Sequence, residues 1–324
     1  MALSLLPQPG AERTEAGVCS WDLQGHDAEI LGVAARGRVF ASCGTDGLML
    51  LWRLKEDDIA NVCKLSTRGP AVTDVAFLAP DTLASAQADC TVGLWDVEVG
   101  KRTQSLSRMK VVERCSWPVI NTLCARDGLL FYGGDDGYLV RHGAREGGAG
   151  CDWVNLKVPI TALTVLGDSL FVGDVCGAVH WYDIRNTMKK IASIQCASDV
   201  ITGIAALSDD QIATYSMDDK VAVIDVQPFV LEGGERLLTA IDMRQGGERT
   251  SLKRCSALPR RDLVAFATAD ATVSCVKGSA LYKGVTKTYT CSQVNGVSVN
   301  ATAFVSDDYL VCGGDKVLSV VTIS

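Results

Sequence analysis

Apolar and polar positions alternate along this chain in short blocks, and each block stops at a cluster of Gly, Asp or Ser. The stretch Thr91-Val-Gly-Leu-Trp-Asp-Val97 is typical, reading with a period of two over a run too short for a stable helix. A period of two is strand geometry, because successive side chains leave opposite faces of a strand. The blocks are rich in β-branched residues and are bounded by turn formers, which predicts strands throughout. The one stretch with helical character lies within Leu231 to Arg244.

The blocks form a repeat. A short apolar strand meets a tight turn carrying Asp or Gly, and a second alternating strand follows, often ending in an aromatic or aliphatic residue and Asp. The best copies run from Phe40 through Asp46 to Trp52 and from Leu83 through Asp89 to Trp95-Asp96. Weaker copies turn at Asp136, Cys176 (with Asp174 beside it), Asp218, Asp270 and Asp315. Successive turns are 43, 47, 40, 42, 52 and 45 residues apart. Helical repeats have periods of about 33 or 34, whereas propeller blades recur every 40 to 45 or so. Seven turns therefore predict an all-β, seven-bladed propeller, with residues 1–324 as one domain. The last unit ends on its third strand, over Lys316 to Ile323. A fourth strand is available only at Gly17 to Leu23. This N-terminal segment is expected to complete the last blade, which removes a free sheet edge. Residues 1–16 ahead of it are expected to be flexible.

Composition narrows the function classes. Net charge is −7, which argues against broad sequence-independent nucleic-acid binding, since that needs a clustered basic surface. The 13 cysteines are dispersed, with no Cys-x-x-Cys spacing. They read as reduced, buried thiols in a reducing compartment. The start has no basic n-region, and no apolar run is long enough to span a bilayer. A membrane role is not expected, and the sequon Asn300-Ala301-Thr302 reads as a chance match on an intracellular strand.

One residue set invites a catalytic reading: His26, Ser42 and Asp46 supply the residue types of a nucleophilic triad. No Gly-x-Ser-x-Gly elbow accompanies them, and their places recur as packing positions in the other blades. A framework role is the better reading. Cys176 and His180 are spaced like a ligand pair, but no second pair completes a tetrahedral site. Gly133-Gly-Asp-Asp-Gly137 is a turn without the Lys-Ser/Thr of a phosphate loop. No metal, cofactor or enzymatic activity is expected.

The quoted turns and strands resemble the WD40 repeat. Gly25-His26, Ser42, Asp46 and Trp52 match that family's full polar set. The resemblance implies that His, Ser, Asp and Trp form a hydrogen-bonded chain tying strands to the turn. Blade 2 keeps Ser85, Asp89 and Trp95 but lacks the His. Later blades put His142, Tyr182, Ile224, Val276 and Val321 at the Trp position.

Within WD40 proteins the chain is similar to the family of the forty-kilodalton subunit of the U5 small nuclear ribonucleoprotein. Asp225-Val-Gln-Pro-Phe229, the long insert after it and Ser251-Leu-Lys-Arg-Cys-Ser256 match that family's Asp-Val-Arg-Pro-Phe ending, insert and Leu-Leu-Arg-Cys-Ser opening. Ala41 to Trp52, Val200 to Ile204 and Ala280 to Lys283 also have counterparts, and the similarity runs collinearly from about Leu23 to Ile323. Most Gly-His and Trp-Asp signatures have decayed, and blade 3 has Arg141-His-Gly-Ala-Arg where Trp-Asp would stand. The resemblance implies a divergent, nuclear, non-enzymatic splicing component. Its partners would be the large U5 scaffold protein and other U5 core proteins, with RNA contact indirect or minor and a monomeric state outside the complex. The alternative is a WD40 adaptor of another intracellular complex, such as a ubiquitin ligase or methyltransferase complex.

Propeller partners bind on loops held by a rigid scaffold. Thr45, Asp135 and Met217 precede turn residues and are candidates on the narrow face. The insert from Pro228 to Thr250 is long for a compact domain, and Leu237, Leu238, Ile241 and Met243 make it a candidate docking element. Lys101, Arg102, Arg108, Lys110 and Arg114 form a basic stretch read as an inter-blade loop that could meet RNA or an acidic partner.

Overall fold

A computed structural model describes residues 12–13, 19–56, 58–107, 118–143, 151–185, 188–227, 236–242, 254–267, 273–281, 289–291 and 299–323. These form seven antiparallel sheets. Six are four-stranded and built in chain order: blade 1 spans Ile30–Ser66, blade 2 Val72–Ser107, blade 3 Ile120–Asn155, blade 4 Ile160–Gln195, blade 5 Ile201–Asp242 and blade 6 Cys255–Cys291. Blade 7 takes Val299–Phe304, Tyr309–Gly314 and Val317–Thr322 from the end of the chain and Cys19–Gln24 from its start. Leu23 pairs with Leu318 and Trp21 with Val320, so the N-terminal strand completes the last blade as expected. Of residues 1–16, expected to be flexible, Glu12–Arg13 form a short fifth strand outside it.

The ring closes because every blade is apolar on both faces. Alternate residues of one strand serve two interfaces. Phe40, Leu50 and Trp52 pack toward blade 7, while Ala41, Cys43, Met49 and Leu51 pack toward blade 2. Seven such clusters fill the seven interfaces, including blade 6 against 7 and blade 7 against 1. Each fully buried Leu, Ile or Phe contributes roughly 1.5–3 kcal/mol. This two-sided burial explains why the second and third strands read as near-continuous apolar runs.

Strand register places one repeating pair in each blade. Phe40 faces Trp52, Leu83 faces Trp95, Leu130 faces His142, and Leu170 faces Tyr182. Ile212 faces Ile224, Val264 faces Val276, and Leu310 faces Val321. The Trp positions of the sequence repeat are thus structurally equivalent. Tyr182, Ile224, Val276 and Val321 each join the apolar cluster shared with the preceding blade. They substitute packing for the Trp hydrogen bond.

Two expectations need correction. Within Leu231 to Arg244 the described residues are not helical: Leu237–Asp242 is the fourth strand of blade 5, paired with Lys220–Asp225. Its alternating half-buried and exposed residues follow from covering one sheet edge. Lys101 and Arg102 do not lie in a loop, since Lys101–Ser107 is the fourth strand of blade 2. The helical content of the described residues is one 3-10 turn, Pro259–Arg261, and one helical turn, Gly278–Leu281.

Candidate functional site

The polar residues that look most like a site are all committed inside the fold. In blade 1, His26 Nδ1–H donates to Asp46 Oδ2 at 2.9 Å, and Ser42 Oγ–H donates to His26 Nε2 at 2.9 Å. Trp52 Nε1–H donates to Ser42 Oγ at 3.1 Å. Asp46 also accepts from the Asp27 and Leu48 amides, which pins the turn. Gly25 precedes His26 because a Cβ there would meet Leu50 Cδ1 at 2.6 Å. Burial holds the His26 imidazole below its ordinary value against the opposing pull of Asp46, so the neutral tautomer that completes this chain is favoured. Ser42 is 0% exposed, and its oxygen is already shared between an imidazole and an indole. The set therefore ties strands to a turn and presents no nucleophile to a substrate.

Blade 2 keeps part of the pattern. Trp95 Nε1–H donates to Ser85 Oγ at 2.9 Å, and Gln87 Nε2 donates to the same oxygen at 3.2 Å. Gln87 thus bonds the hydroxyl that lacks a His partner. Asp89 accepts from the Thr91 amide and hydroxyl.

Blade 4 carries a second imidazole network that motif reading missed. His180 Nε2–H donates to Asp174 Oδ2 at 2.9 Å, and Ser193 Oγ–H donates to His180 Nδ1 at 2.8 Å. Asp174 Oδ1 accepts from the amides of Cys176 and Ala178. Burial pushes the Asp174 carboxyl up, but these bonds outweigh it and hold the carboxyl below its usual range. His180 stands on the third strand and Ser193 on the fourth, so the network is rotated outward relative to blade 1. Both ring nitrogens of His180 are occupied, which removes it as a partner for Cys176 in a metal pair. Among the described residues no group of three His, Cys, Asp or Glu is placed to hold a metal ion. Blade 5 ties its turn with a carboxylate alone: Asp218 accepts from Ser198, Ser216 and Lys220.

Burial raises the thiols of Cys43, Cys63, Cys124, Cys196 and Cys255 above their ordinary value. None of the ten cysteines whose side chains are described forms a disulfide among the described residues. Burial pushes the Cys196 thiol up to about 11 and the Cys255 thiol to about 12.

Two further polar systems line the centre of the ring. Thr73 donates to the Ile120 carbonyl, Asn121 to Ile160, Thr161 to Ile201 and Asn300 to Ile30. Each stitches one inner strand to the start of the next blade's inner strand. Asn300 is 3% exposed and its amide is spent on Ile30 and Glu29, so the sequon asparagine is structural. The second system crosses the channel. Arg254 of blade 6 pairs with Asp74 of blade 2 and donates to the carbonyls of Thr73 and Asn121 at 3.0 and 2.9 Å. Asp74 also accepts from the Leu123 amide. By register Arg254 and Asp74 occupy one position of the inner strand, where the other blades have Gly32, Thr122, Ala162, Gly203 and Ala301. Small neighbours leave room for the pair.

The candidate partner residues fall in three places. Thr45, Asp135 and Met217 share one face, because each amide donates to the carbonyl just before its own inner strand: Glu29, Val119 and Val200. Thr45 and Asp135 are exposed and Met217 is half-buried. Leu237 and Ile241 are half-buried against blade clusters, while Leu238 is 40% exposed on the rim. Arg102 is engaged within its blade, stacked over the Trp95 ring at 5.6 Å and bonded to Ser105, whereas Lys101 is exposed. Met243, Arg108, Lys110 and Arg114 lie outside the described residues. Among the described residues, no helix is long and apolar enough to cross a membrane.

Comparison with known proteins agrees with this geometry. The family described as "WD domain, G-beta repeat" matches residues 17–53, the segment that holds the whole blade 1 set. The F-box/WD repeat-containing protein sel-10 of Caenorhabditis elegans is 31% identical over 94 residues, which is 29% of this chain and 16% of that protein's length. The crystal structure of the WD40 β-propeller domain of Doa1 superposes with a TM-score of 0.75 at 15% identity, over 94% of this chain and 96% of that one. At that identity the likeness speaks for the fold alone.

Proposed function

We propose that this WD40-repeat β-propeller is a non-catalytic protein-interaction scaffold of the nucleus, and that it acts in pre-mRNA splicing within the U5 small nuclear ribonucleoprotein. The observation that carries the scaffold reading is the commitment of every triad-like residue to internal bonds, with Ser42 sealed. What remains for function is a rigid set of turns, on which Thr45 and Asp135 stand exposed. The particle assignment draws on the collinear resemblance from about Leu23 to Ile323 and on the placing of the long blade 5 insert. Its partners in this reading are the large U5 scaffold protein and the other U5 core proteins, with RNA touched indirectly or little. Affinity capture of the tagged full chain from nuclear extract at low salt tests it. Recovery of U5 RNA and its core proteins is the expected result, and their absence would sink the assignment.

The stretch similar to an F-box/WD repeat protein favours a second reading, a WD40 adaptor of another intracellular complex such as a ubiquitin ligase. The same capture separates the two, since ligase subunits in place of U5 proteins would favour the adaptor.

A further inference from the structure

On the face opposite Thr45 and Asp135, a cavity of about 360 Å³ opens between the inner strands of blades 1, 2 and 3. Its walls include Ala34, Ala76, Phe77, Leu123 and Cys124, and its one charged lining residue is Arg36. Ala34, Ala76 and Cys124 occupy the same inner-strand position in three successive blades, so a row of small side chains makes the hollow. Leu123 belongs both to its wall and to the anchor of the cross-channel pair, through its amide bond to Asp74.

The blade 1 turn at this mouth is basic. Arg36 and Arg38 flank the blade 1 turn and are exposed, and among the described residues neither has a carboxylate partner. On the corresponding turns of blades 2 and 3, Asp81 accepts from Thr82 and Asp127 is paired with Arg126; the blade 7 turn, beside blade 1, carries Asp307 and Asp308, the latter paired with Arg261. The corresponding turns of blades 4 and 5 carry Asp168, Asp209 and Asp210, and that of blade 6 carries Arg260 and Arg261. The exposed guanidinium groups of Arg36 and Arg38 attract an anionic ligand to the blade 1 turn.

We propose that this mouth is a docking site for a short acidic segment of a partner protein, with one apolar side chain in the hollow and a carboxylate on Arg36. The proposal rests on the interaction-scaffold reading but not on the splicing assignment. Absence of U5 components from a capture leaves it standing, and its own failure leaves that assignment untouched.

The test is fluorescence anisotropy with the full chain and a labelled probe peptide, Gly-Asp-Glu-Phe-Asp-Glu-Gly. The expected result is saturable binding that weakens roughly tenfold or more in Arg36→Glu, where attraction becomes repulsion. A similar loss is expected when Ser replaces the peptide's Phe, and when Ala125, which also lines the cavity, is changed by Ala125→Trp to obstruct it. Arg36 is exposed, so its variant is expected to melt like the parent and the loss to be one of binding. No saturation by about 1 mM, or equal binding by Arg36→Glu, would overturn the site. So would equal binding of the peptide with Lys in place of its acidic residues. An oligouridine probe that bound and was lost with Arg36→Glu would reassign the mouth to RNA and overturn the peptide proposal.

Discussion

Blades 1 and 4 each hold a turn with an imidazole between a carboxylate and a hydroxyl, yet they anchor different things. In blade 4 all three residues, Asp174, His180 and Ser193, belong to one sheet. In blade 1 the imidazole comes from outside: His26 sits two residues beyond the strand Cys19–Gln24 that completes blade 7. The blade 4 network is a local brace. The blade 1 network couples its turn to the segment that closes the ring. A third arrangement, Arg254 with Asp74, spans blades that are not neighbours. The same chemistry thus acts within a blade, between neighbours and across the channel.

The deepest break is at closure. Deleting residues 1–24 removes the outer strands of blade 7 and buried Leu23, and it leaves His26 without its anchor. The expected loss exceeds about 4 kcal/mol, beyond most single substitutions, and shows as a collapsed or absent thermal transition. An unchanged melting temperature would refute closure by this strand. Next is the channel. Arg254→Ala strands the Asp74 carboxylate, 6% exposed, at an expected cost of about 3–5 kcal/mol. Arg254→Met with Asp74→Leu is expected to recover most of it. If the double variant is as unstable as the single, charge pairing is not what the position requires.

The two imidazoles then separate. His26→Ala is expected to cost about 2–3 kcal/mol by leaving Asp46 and Ser42 short of partners. His180→Ala is expected to cost less, about 1–2 kcal/mol, because Ser193 is exposed and can turn to water, whereas Ser42 is 0% exposed and cannot. They also differ in pH. His26 is held below 6.5 in the fold, so its contribution is fully present above 6.5 and is lost as pH falls through the folded value, where the unfolded chain already binds the proton. Asp174, lowered from 3.8, contributes above that value and weakens only in stronger acid. A stability-versus-pH curve is therefore expected to slope below about 6.5, and His26→Gln is expected to flatten that slope. The smallest change is Trp52→Phe, which removes one indole donor to Ser42 and is expected to cost about 1 kcal/mol.

Much of this was legible in the chain. Turn spacing indicated seven blades, because each turn needs a carboxylate or glycine at a fixed place. The missing last strand located the closure. The blade 1 set was readable because its residues keep their motif positions. Blade 4 was not, because His180 moved to the third strand and its Asp two residues earlier, so spacing pointed instead to a Cys176–His180 pair. Arg254 and Asp74 are 180 residues apart, and only register shows that opposite charges share one ring of positions. Leu237–Asp242 looked free because its apolar residues were read without the sheet edge they cover. Lys101 and Arg102 looked like loop for the same reason.

Amide hydrogen exchange on the full chain tests the coupling claim most directly. In His26→Ala, protection is expected to fall at Leu48 and also along Trp21 to Leu23, while Cys176 and Ala178 stay as in the parent. In His180→Ala, Cys176 and Ala178 are expected to lose protection alone. Full protection of Trp21 to Leu23 in His26→Ala would contradict the account, because blade 1 would then be braced locally like blade 4.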